Sequence, residues 1–504
     1  MSPTTRIDIK VPVYDLLVIG GGINGTAVAR DAAGRGLSVV LCEKDDLASH
    51  TSSASTKLIH GGLRYLEHYD FKLVRESLKE REILLRAAPH IIWPLRFILP
   101  YDEGLRPKWL LRMGLFLYDN LGGRDLLPGT KTRKRGQGSL FDVLKDRLET
   151  GFEYSDCWVE DSRLVVLNAV DAAQQGADVF TRTEVRSIKG EGGLYLAELQ
   201  SGETVKTIKA RGIVNAAGPW VDRLLASVEQ SNVKDKTTLR LVKGSHIIVP
   251  KLYDGDHAFI FQNSDERVIF AIPYEHKFTL IGTTDVPHEN PNDPPIASDE
   301  EIQYLCDCVN EYFEIETTPS DVVWTYSGVR PLYDDKAADA SDVTRDYVLD
   351  LQKYETDAPF VSVYGGKITT SRKLADHVME KIKHYYPEMG KPWTKKAYFP
   401  GGNIPEADFE DFYQSQLDHY PNLDPKLVRL FCRRYGTRVT RVLKKGVGRF
   451  FGGDLTEADV RYLVEYEWAN APEDILWRRT KCGLHMSEDE KLEFKNWFQA
   501  AGLT

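Results

Sequence analysis

The chain has 504 residues, of which 42% are hydrophobic and 28% are charged, and these values exclude a disordered chain, a fibrous repeat and a disulfide scaffold. Asp and Glu number 75 against 65 Lys and Arg, so the net charge is −10. General nucleic-acid binding needs a basic surface, and we therefore predict no nucleic-acid partner. At roughly 150 residues per domain, the length predicts about three domains.

The cysteines and the N-terminus indicate a reducing compartment. The 6 cysteines are scattered along the chain, and Cys306 and Cys308 form a CxC with no second pair of ligands nearby, so we predict no metal site. The N-terminal residues are polar and lack the apolar core of a signal peptide. No apolar run reaches the ~18 residues needed to span a bilayer. We expect a protein that stays on the cytoplasmic side of the membrane.

A strand, a glycine-rich turn and a helix are the first predicted elements. Residues 14–19 are short, apolar and rich in strand formers, and they end at three consecutive glycines. This pattern predicts a buried parallel strand. Residues 25–35 have helical spacing with several alanines, and residues 37–42 form a second strand that ends at Glu43. The order predicts a β-turn-α-β unit.

The rest of the chain divides into three regions that differ in their predicted secondary structure. A charged amphipathic helix is predicted over 72–87, and strands are predicted at 211–216 and 360–364. Alternating apolar and polar residues predict an antiparallel sheet within 230–325. Its predicted strands are 245–249, 258–262, 268–272 and 278–281. Long charged helical stretches such as 425–434 and 456–469 predict a helical C-terminal domain that begins near residue 395.

The glycine turn has the spacing of a dinucleotide-binding motif. Gly20, Gly22 and Gly25 form GxGxxG between a predicted strand and a predicted helix, and Glu43 follows at the end of the next strand. Gly20 allows the tight turn, Gly22 lets the backbone approach a pyrophosphate, and Gly25 lets the helix pack on the strand. We expect free N–H groups at the helix N-terminus, with Ile23 and Asn24 in the motif, to bind the phosphates, and Glu43 to bind ribose hydroxyls. The acidic residue disfavours NADP.

Three further segments favour FAD over NAD. Residues 52–57 supply small hydroxyl side chains for the phosphates and ribityl chain, residues 365–369 can direct backbone N–H groups at the flavin ring, and residues 215–218 form a tight strand end beside the adenosine half. Each segment alone is typical of a plain turn, but their joint presence indicates FAD. The predicted cofactor-binding residues in these segments and nearby are Ser52, Ser53, Lys57, His60, Gly61, Ala217, Gly218, Gly366, Lys367, Ile368 and Thr369.

With these segments, the chain resembles the FAD-dependent, quinone-linked glycerol-3-phosphate dehydrogenases of the bacterial aerobic type. The resemblance runs from about residue 14 to the C-terminus. The segments that carry it are 15–68, GFEYSDCWVEDSRL (151–164), VNAAGPWVD (214–222), KGSHIIVP (243–250), IGTTD (281–285), WTYSGVRPL (324–332), TRDY (344–347), YGGKITTSRKLAD (364–376) and WRRTKCG (477–483).

The resemblance implies an α/β fold with three parts. The first is a glutathione-reductase-type FAD-binding Rossmann domain, discontinuous over 14–95, 150–228 and 325–392. An antiparallel-sheet substrate domain would comprise 96–149 and 229–324, and a C-terminal α-helical cap domain would comprise 395–504. The resemblance also implies noncovalent FAD and oxidation of sn-glycerol 3-phosphate to dihydroxyacetone phosphate, with electrons passed to membrane quinone. A soluble oxidase that passes electrons to oxygen is the alternative.

The substrate is a dianion with a secondary alcohol, so its phosphate needs cationic donors. From the family-like motifs we expect these substrate-binding residues: Arg64, Tyr65, Arg330, Arg345 and Lys367. His246 is the preferred base for the C2 hydroxyl, because histidine titrates near neutral pH. Arg330 could instead stabilise the developing alkoxide, and Lys367 could stabilise negative charge on the reduced flavin. His60 is the residue to examine for covalent FAD, although a noncovalent neighbour is favoured.

Residues 109–121 form an unusually apolar predicted helix. Arg112 and Asp119 share one narrow face of it, and the flanking cations are Arg106, Lys108, Arg124, Lys131, Arg133, Lys134 and Arg135. Such a helix is too short to cross a ~30 Å bilayer core but suits an anionic interface. A buried core helix is the alternative. We predict a monotopic membrane contact within 106–135 and a peripheral location on the cytoplasmic face of the inner membrane. The sequence leaves open whether the chain forms a homodimer.

Overall fold

The fold is described from a computed structural model. It describes residues 11–66, 69–102, 107–229, 239–263, 265, 267–333, 346–354 and 356–503, with the backbone alone at residue 64. The side chain of Arg64 and the whole of Arg345 and Arg106, three of the predicted contact residues, lie outside this part of the chain.

A mainly parallel sheet organises the nucleotide-binding half of the molecule. Within the described residues, its strands run in the order Val348–Gln352, Phe360–Tyr364, Ile213–Asn215, Leu16–Ile19, Val39–Cys42 and Asp178–Phe180. Neighbouring strands are parallel except for the first pair. Leu16–Ile19 and Val39–Cys42 are buried at every position, which explains why both are continuously apolar in sequence. Each parallel strand therefore ends at one edge of the sheet, where the glycine turn lies.

Different layers cover the two faces of this sheet. The helices Ile23–Gly34, Asp161–Gln174 and Ser371–Ile382 pack on one face, where Val18, Val166 and Leu374 share one apolar cluster. A four-stranded sheet covers the other face, through contacts such as Leu17 and Val40 with Tyr195. Its strands are ordered Val13–Tyr14, Thr204–Ala210, Leu194–Ser201 and Glu184–Glu191. This second sheet is not among the predicted elements.

A large, mainly antiparallel sheet forms the other half. Its strands run in the order Val286–Pro287, Leu239–Pro250, Phe278–Gly282, Val268–Tyr274, Ala258–Gln262, Ile92–Pro100, Thr150–Val159 and Leu58–Ile59. Two more strands pair with this sheet: Trp324–Tyr333 with Leu239–Pro250, and Lys131–Lys134 with Thr150–Val159. One face packs on the helix Asp299–Asn310, and the other packs on Phe71–Ala87 and Lys108–Leu121. The four strands predicted within 245–281 all occur in this sheet.

The C-terminal part is helical, as predicted, and has its own apolar cluster. Its helices are Phe409–His419, Pro425–Tyr435, Val439–Val442, Glu457–Glu467 and Glu488–Ala500, with a small hairpin of Phe450–Gly452 and Leu455–Thr456; the remaining α-helix of the described chain is Val221–Ala226. None of the helices within the described residues combines the length and apolarity needed to cross a bilayer. The mixed sheets with flanking helices confirm the predicted α/β class.

Candidate active site

The glycine turn forms one wall of a cavity at the carboxyl edge of the parallel sheet. Gly20 has φ +112°, and a Cβ there would lie 2.4 Å from the Ala216 carbonyl oxygen. A Cβ on Gly25 would lie 1.9 Å from the Gly20 carbonyl oxygen, so the first helix could not approach the turn with any larger residue. Both glycines therefore have the structural roles that their spacing predicts.

Several predicted cofactor residues line this first cavity together. They are Gly20, Gly22, Ile23, Asn24, Glu43, Ser52, Ala217, Gly218 and Gly366. Sequence-distant segments thus converge on the N-terminus of the helix Ile23–Gly34, because the strands that precede them end at one edge of the sheet.

Glu43 is held in a fixed orientation at the far end of this cavity. Its carboxylate accepts hydrogen bonds from the backbone N–H of Gly21 at 2.6 Å and of Asp45 at 2.8 Å. Burial raises the pKa of Glu43 above its ordinary value. A carboxylate has about four acceptor sites, so two such bonds still leave lone pairs for ribose hydroxyls.

The residues present fit a dinucleotide cofactor. Gly22 is the N-cap of the first helix and provides no side-chain cap, while the Ser52 hydroxyl accepts a hydrogen bond from the Ile23 N–H at 3.0 Å. The Asn24 Nδ2 donates to the Gly365 carbonyl at 3.0 Å, but its buried Oδ1 has no partner among the described residues. A helix N-terminus whose own N-cap residue is a glycine is suited to a pyrophosphate, and the unpartnered amide oxygen of Asn24 is suited to accept a hydrogen bond from a ribityl hydroxyl.

A second cavity, larger than the first and mostly apolar, also has polar residues in its lining. They are His60 and Tyr65 from one segment of the chain and Thr283, Asp285 and Arg330 from others, so the cavity contains three of the predicted site residues. Lys367 lines neither cavity but neighbours both: Gly366 lines the first, and the Lys367 Nζ lies 3.7 Å from the ring centre of Tyr65, which lines the second. This Nζ is buried and has no hydrogen-bond acceptor among the described residues.

Arg330 is fixed by its neighbours. Its Nη2 donates to the Thr284 carbonyl at 2.9 Å and forms an ion pair with Asp285. A Cβ on Gly244 would come within 2.8 Å of the same nitrogen, so the glycine provides room for the guanidinium. Asp285 is not among the predicted site residues, although it belongs to the IGTTD segment. An acidic side chain repels an anionic substrate, so the sequence did not indicate it as a binding residue.

His246 lies behind the cavity wall. It packs against Gly282, next to the cavity-lining Thr283, and its Nε2 is 2.9 Å from the Thr56 hydroxyl. Its ring stacks on Tyr326, and its buried Nδ1 has no partner among the described residues. Burial, followed by the charges of Lys57 and Arg330, lowers the pKa of His246 well below its ordinary value. The imidazole is therefore neutral near pH 7, and the same surroundings make it a weaker base than a free histidine.

His60 lines the second cavity, and its backbone N–H donates to the Thr369 hydroxyl at 3.3 Å. Burial, then the charges of Lys367 and Arg81, lowers the pKa of His60 to about 4. The segments of His60 and Thr369 are thus joined at the junction of the two cavities, as residues that share a cofactor would be. Ile368 begins the short helix Ile368–Thr370 and packs on an apolar cluster beneath them.

Three predicted cofactor residues form hydrogen bonds or ion pairs with other parts of the protein. The Lys57 ammonium is buried in an ion pair with Asp161, 2.8 Å from each carboxylate oxygen, and Lys57 lines neither cavity. The Gly61 N–H donates to the Tyr118 hydroxyl at 2.7 Å. The Ser53 hydroxyl donates to the His50 carbonyl at 3.1 Å. These side-chain and backbone groups support the segment 52–61 from behind, and its partners Asp161 and Tyr118 could not be inferred from local sequence.

The helix Lys108–Leu121 borders the second cavity and has two different faces. Leu115 and Tyr118 are buried against the large sheet. Trp109, Phe116 and Met113 have 67%, 64% and 48% of their surfaces exposed. Between these faces, Leu110, Gly114 and Leu117 line the cavity. Apolar side chains thus extend from the cavity to an exposed apolar patch, defined here as Trp109, Met113 and Phe116.

The C-terminal WRRTKCG segment contacts the loop that follows Glu43. Arg479 is fully buried, and its guanidinium donates to both oxygens of Asp46 at 2.7 Å. Arg478 binds the same carboxylate at 2.6 Å, and Trp477 stacks on Trp324 of the large sheet. This arrangement holds Asp46 and lowers its pKa, mainly through Arg479 acting against the effect of burial. The C-terminal segment therefore stabilises the loop that follows Glu43.

Comparison with known proteins agrees with this site. Residues 15–351 match the FAD dependent oxidoreductase family, and residues 392–493 match the C-terminal domain of alpha-glycerophosphate oxidase. A D-erythritol 1-phosphate dehydrogenase of Brucella abortus is 53% identical, and the alignment covers 97% of this chain and 98% of the relative. A glycerol-3-phosphate dehydrogenase of Pseudomonas aeruginosa is 48% identical, with 97% of this chain and 95% of the relative aligned.

The structure of the glycerol-3-phosphate dehydrogenase from Bacillus halodurans complexed with FAD superimposes with a TM-score of 0.72 at 26% identity, covering 97% of this chain and 94% of that one. The predicted resemblance and the predicted FAD are thereby confirmed. The chain is an FAD-dependent oxidoreductase that belongs to the glycerol-3-phosphate dehydrogenase family.

Proposed function

We propose that the protein oxidises sn-glycerol 3-phosphate at C2 to dihydroxyacetone phosphate and passes the electrons to a membrane quinone. The observation that carries the proposal is the position of Lys367, a buried ammonium at the junction of the nucleotide cavity and the second cavity. A cation that has no acceptor among the described residues is suited to an anionic substrate, and a substrate bound at this junction would lie beside the cofactor. Bound FAD supplies the hydride acceptor, its N5 atom.

The side chains near this junction bind the phosphate, orient the alcohol and accept its proton. Lys367 binds the phosphate together with Tyr65, and Arg64 and Arg345 are proposed for the same task from their sequence positions. Arg330 orients the secondary alcohol and stabilises negative charge on its oxygen. His246, neutral at pH 7, takes the hydroxyl proton, by direct contact or through the Thr56 hydroxyl to which it is bonded.

Flavin bleaching tests this function. Anaerobic protein mixed with sn-glycerol 3-phosphate should lose its flavin absorbance near ~450 nm, and glycerol at the same concentration should leave the absorbance unchanged, because Lys367 and its neighbours contribute binding only to a phosphate. A variant Lys367→Met, which keeps the length of the side chain and removes its charge, is the matched control. Bleaching by glycerol as efficient as by its phosphate would refute the proposal.

A second substrate, D-erythritol 1-phosphate, is favoured by one observation, the 53% identity with the dehydrogenase of that name. Both compounds carry a phosphate on a terminal carbon and a secondary alcohol beside it, so the same cationic end would bind either. The ratio of kcat/KM for the two compounds, measured as anaerobic flavin reduction on one preparation, decides between them. A ratio above one in favour of the tetritol would assign the longer substrate.

The apolar wall of the second cavity supports a quinone acceptor. It runs from His60 and Tyr65 to Leu110 and Leu117 and ends at the exposed apolar patch, so a lipid-soluble acceptor could reach the flavin end without crossing water. An oxidase that uses oxygen needs no such wall. Quinone reduction under argon and oxygen consumption in air, measured on the same detergent-solubilised sample, test the acceptor; fast oxygen consumption without quinone reduction would assign the oxidase.

We further propose that the helix Lys108–Leu121 binds the surface of an anionic membrane through the apolar patch. Monomeric soluble proteins rarely expose a contiguous apolar patch larger than a few hundred Å². Several predicted flanking cations have protein partners, since Arg133 pairs with Glu153 at 2.5 Å and Arg124 contacts Asp119 at 3.9 Å. Lys131 and Lys134 are exposed and are the better candidates for lipid headgroups.

A further inference from the structure

We propose that Asp285 is a substrate-binding residue that accepts a hydrogen bond from the hydroxyl next to the oxidised carbon, on the side away from the phosphate. The proposal rests on the proposed function and deepens it, because it fixes the direction in which the polyol phosphate lies in the second cavity. In glycerol 3-phosphate this group is the C1 hydroxyl.

The first argument is the charge at the Arg330 end of the cavity. Asp285 and Arg330 both line it and form an ion pair, with side chains that are about one-third exposed, at 31% and 33%. The Arg267 side chain, which also lines this cavity, lies 3.8 Å from Asp265. Each described arginine in the lining of the cavity therefore has its own carboxylate, and neither has an uncompensated charge for a phosphate dianion.

The second argument is the contrast with the Lys367 end. The Lys367 Nζ packs on the face of Tyr65 and has no acceptor among the described residues, so within this part of the chain its charge is not compensated by a carboxylate. A phosphate placed there gains a charge-assisted bond, whereas the same phosphate beside Asp285 would meet a carboxylate of like charge. The phosphate therefore lies towards Lys367, and the other end of the polyol lies towards Asp285.

The third argument is hydrogen-bond complementarity. An ionised carboxylate only accepts hydrogen bonds, and a hydroxyl is the donor that the phosphate-free end of a polyol offers. Arg330 donates a hydrogen bond to the Oδ1 atom of Asp285. The Asp285 carboxylate is partly exposed and lines the cavity. A tetritol phosphate oxidised beside its phosphate-bearing carbon presents a hydroxyl at the same position, so the assignment holds for either substrate.

Removing the hydroxyl from the substrate tests the proposal without a mutation. Propane-1,2-diol 1-phosphate keeps the phosphate and the secondary alcohol of glycerol 3-phosphate but has a methyl group in place of the C1 hydroxymethyl group. We expect the holoenzyme to reduce its flavin with kcat/KM about ten- to a hundredfold lower for this analogue, because a hydrogen bond to a charged acceptor is lost. Equal kcat/KM values for the two compounds would overturn the proposal. No reduction by either compound would instead refute the proposed function.

A variant then assigns the discrimination to Asp285. In Asp285→Ala the ratio of the two kcat/KM values should fall towards one, while Asp285→Glu should restore part of it; displacement of Arg330 would lower both values and leave the ratio unchanged. Asp265→Ala, which removes the carboxylate beside Arg267, is the matched control and should keep the wild-type ratio. Flavin content is measured first for each variant. If Asp285→Ala lost its flavin, Asp285→Asn would be used, and a wild-type ratio in that variant would overturn the assignment.

Discussion

Replacing Trp109 and Phe116 together by glutamate tests the proposed membrane contact. Complete burial of a large apolar side chain is worth about 1.5–3 kcal/mol. About two-thirds of each of these side chains is exposed, at 67% and 64%, so insertion should contribute roughly 1–2 kcal/mol per residue. The two together amount to roughly 2–4 kcal/mol, and at 1.4 kcal/mol per tenfold the double variant should bind about thirtyfold to several-hundredfold more weakly.

The assay is sedimentation with vesicles that contain anionic lipid, at low and high salt. Phe450→Glu is the matched control, because Phe450 lies in the C-terminal hairpin with 57% of its surface exposed, and we expect it to leave vesicle binding unchanged. Leu115→Glu is unsuitable because Leu115 is 1% exposed and belongs to the core. The double variant should still bleach with glycerol 3-phosphate. Vesicle binding equal to that of the wild type, with both variants folded, would refute the reasoning.

Three further predictions concern the cofactor, the phosphate and the dependence of stability on pH. Acid precipitation should release all of the yellow colour into the supernatant, and colour in the pellet would indicate covalent FAD, with His60 examined first by peptide mapping. Lys367→Met should raise KM for glycerol 3-phosphate about ten- to a hundredfold, and an unchanged KM would remove Lys367 from phosphate binding. Burial, with Glu275 nearby, raises the pKa of Glu160 from 4.5 to about 7, so its ionised form destabilises the folded state more and more as the pH rises from about 4.5 to 7. Glu160→Gln should therefore raise Tm at pH 8 more than at pH 5, and an equal change at both pH values would contradict this.

The nucleotide end of the site could be predicted from sequence because its geometry is local. The strand, glycine turn, helix and Glu43 lie within one short stretch of chain, and the parallel pairing of Leu16–Ile19 with Val39–Cys42 follows from their uninterrupted apolar residues. The four-stranded sheet is not among the predictions, although the Gly192–Gly193 pair before Leu194–Ser201, the single Gly202 after it and its alternating residues are typical of hairpins.

The other end of the site depends on contacts between distant residues. The pattern of residues 109–121 predicts a helix, but neighbouring Leu115 and Phe116 differ from 1% to 64% exposed, and only packing against the large sheet decides which faces outward. Lys57 is likewise a plausible phosphate ligand by position, yet Asp161, 104 residues away, binds its ammonium. Local sequence has no information about either partner.

The hydrogen bond from the Gly61 N–H to the Tyr118 hydroxyl has a consequence for engineering. Tyr118 also donates to Asp156, which pairs with Arg81 at 2.7 Å, so the apolar helix is part of the scaffold beneath the segment 52–61. Deleting the helix to obtain a more soluble enzyme would leave the Gly61 N–H and the Asp156 carboxylate without this partner in a buried setting. A more soluble variant should therefore be made by changing the outward side chains and keeping the helix in place. We expect truncated variants in this region to lose bound flavin before their expression falls.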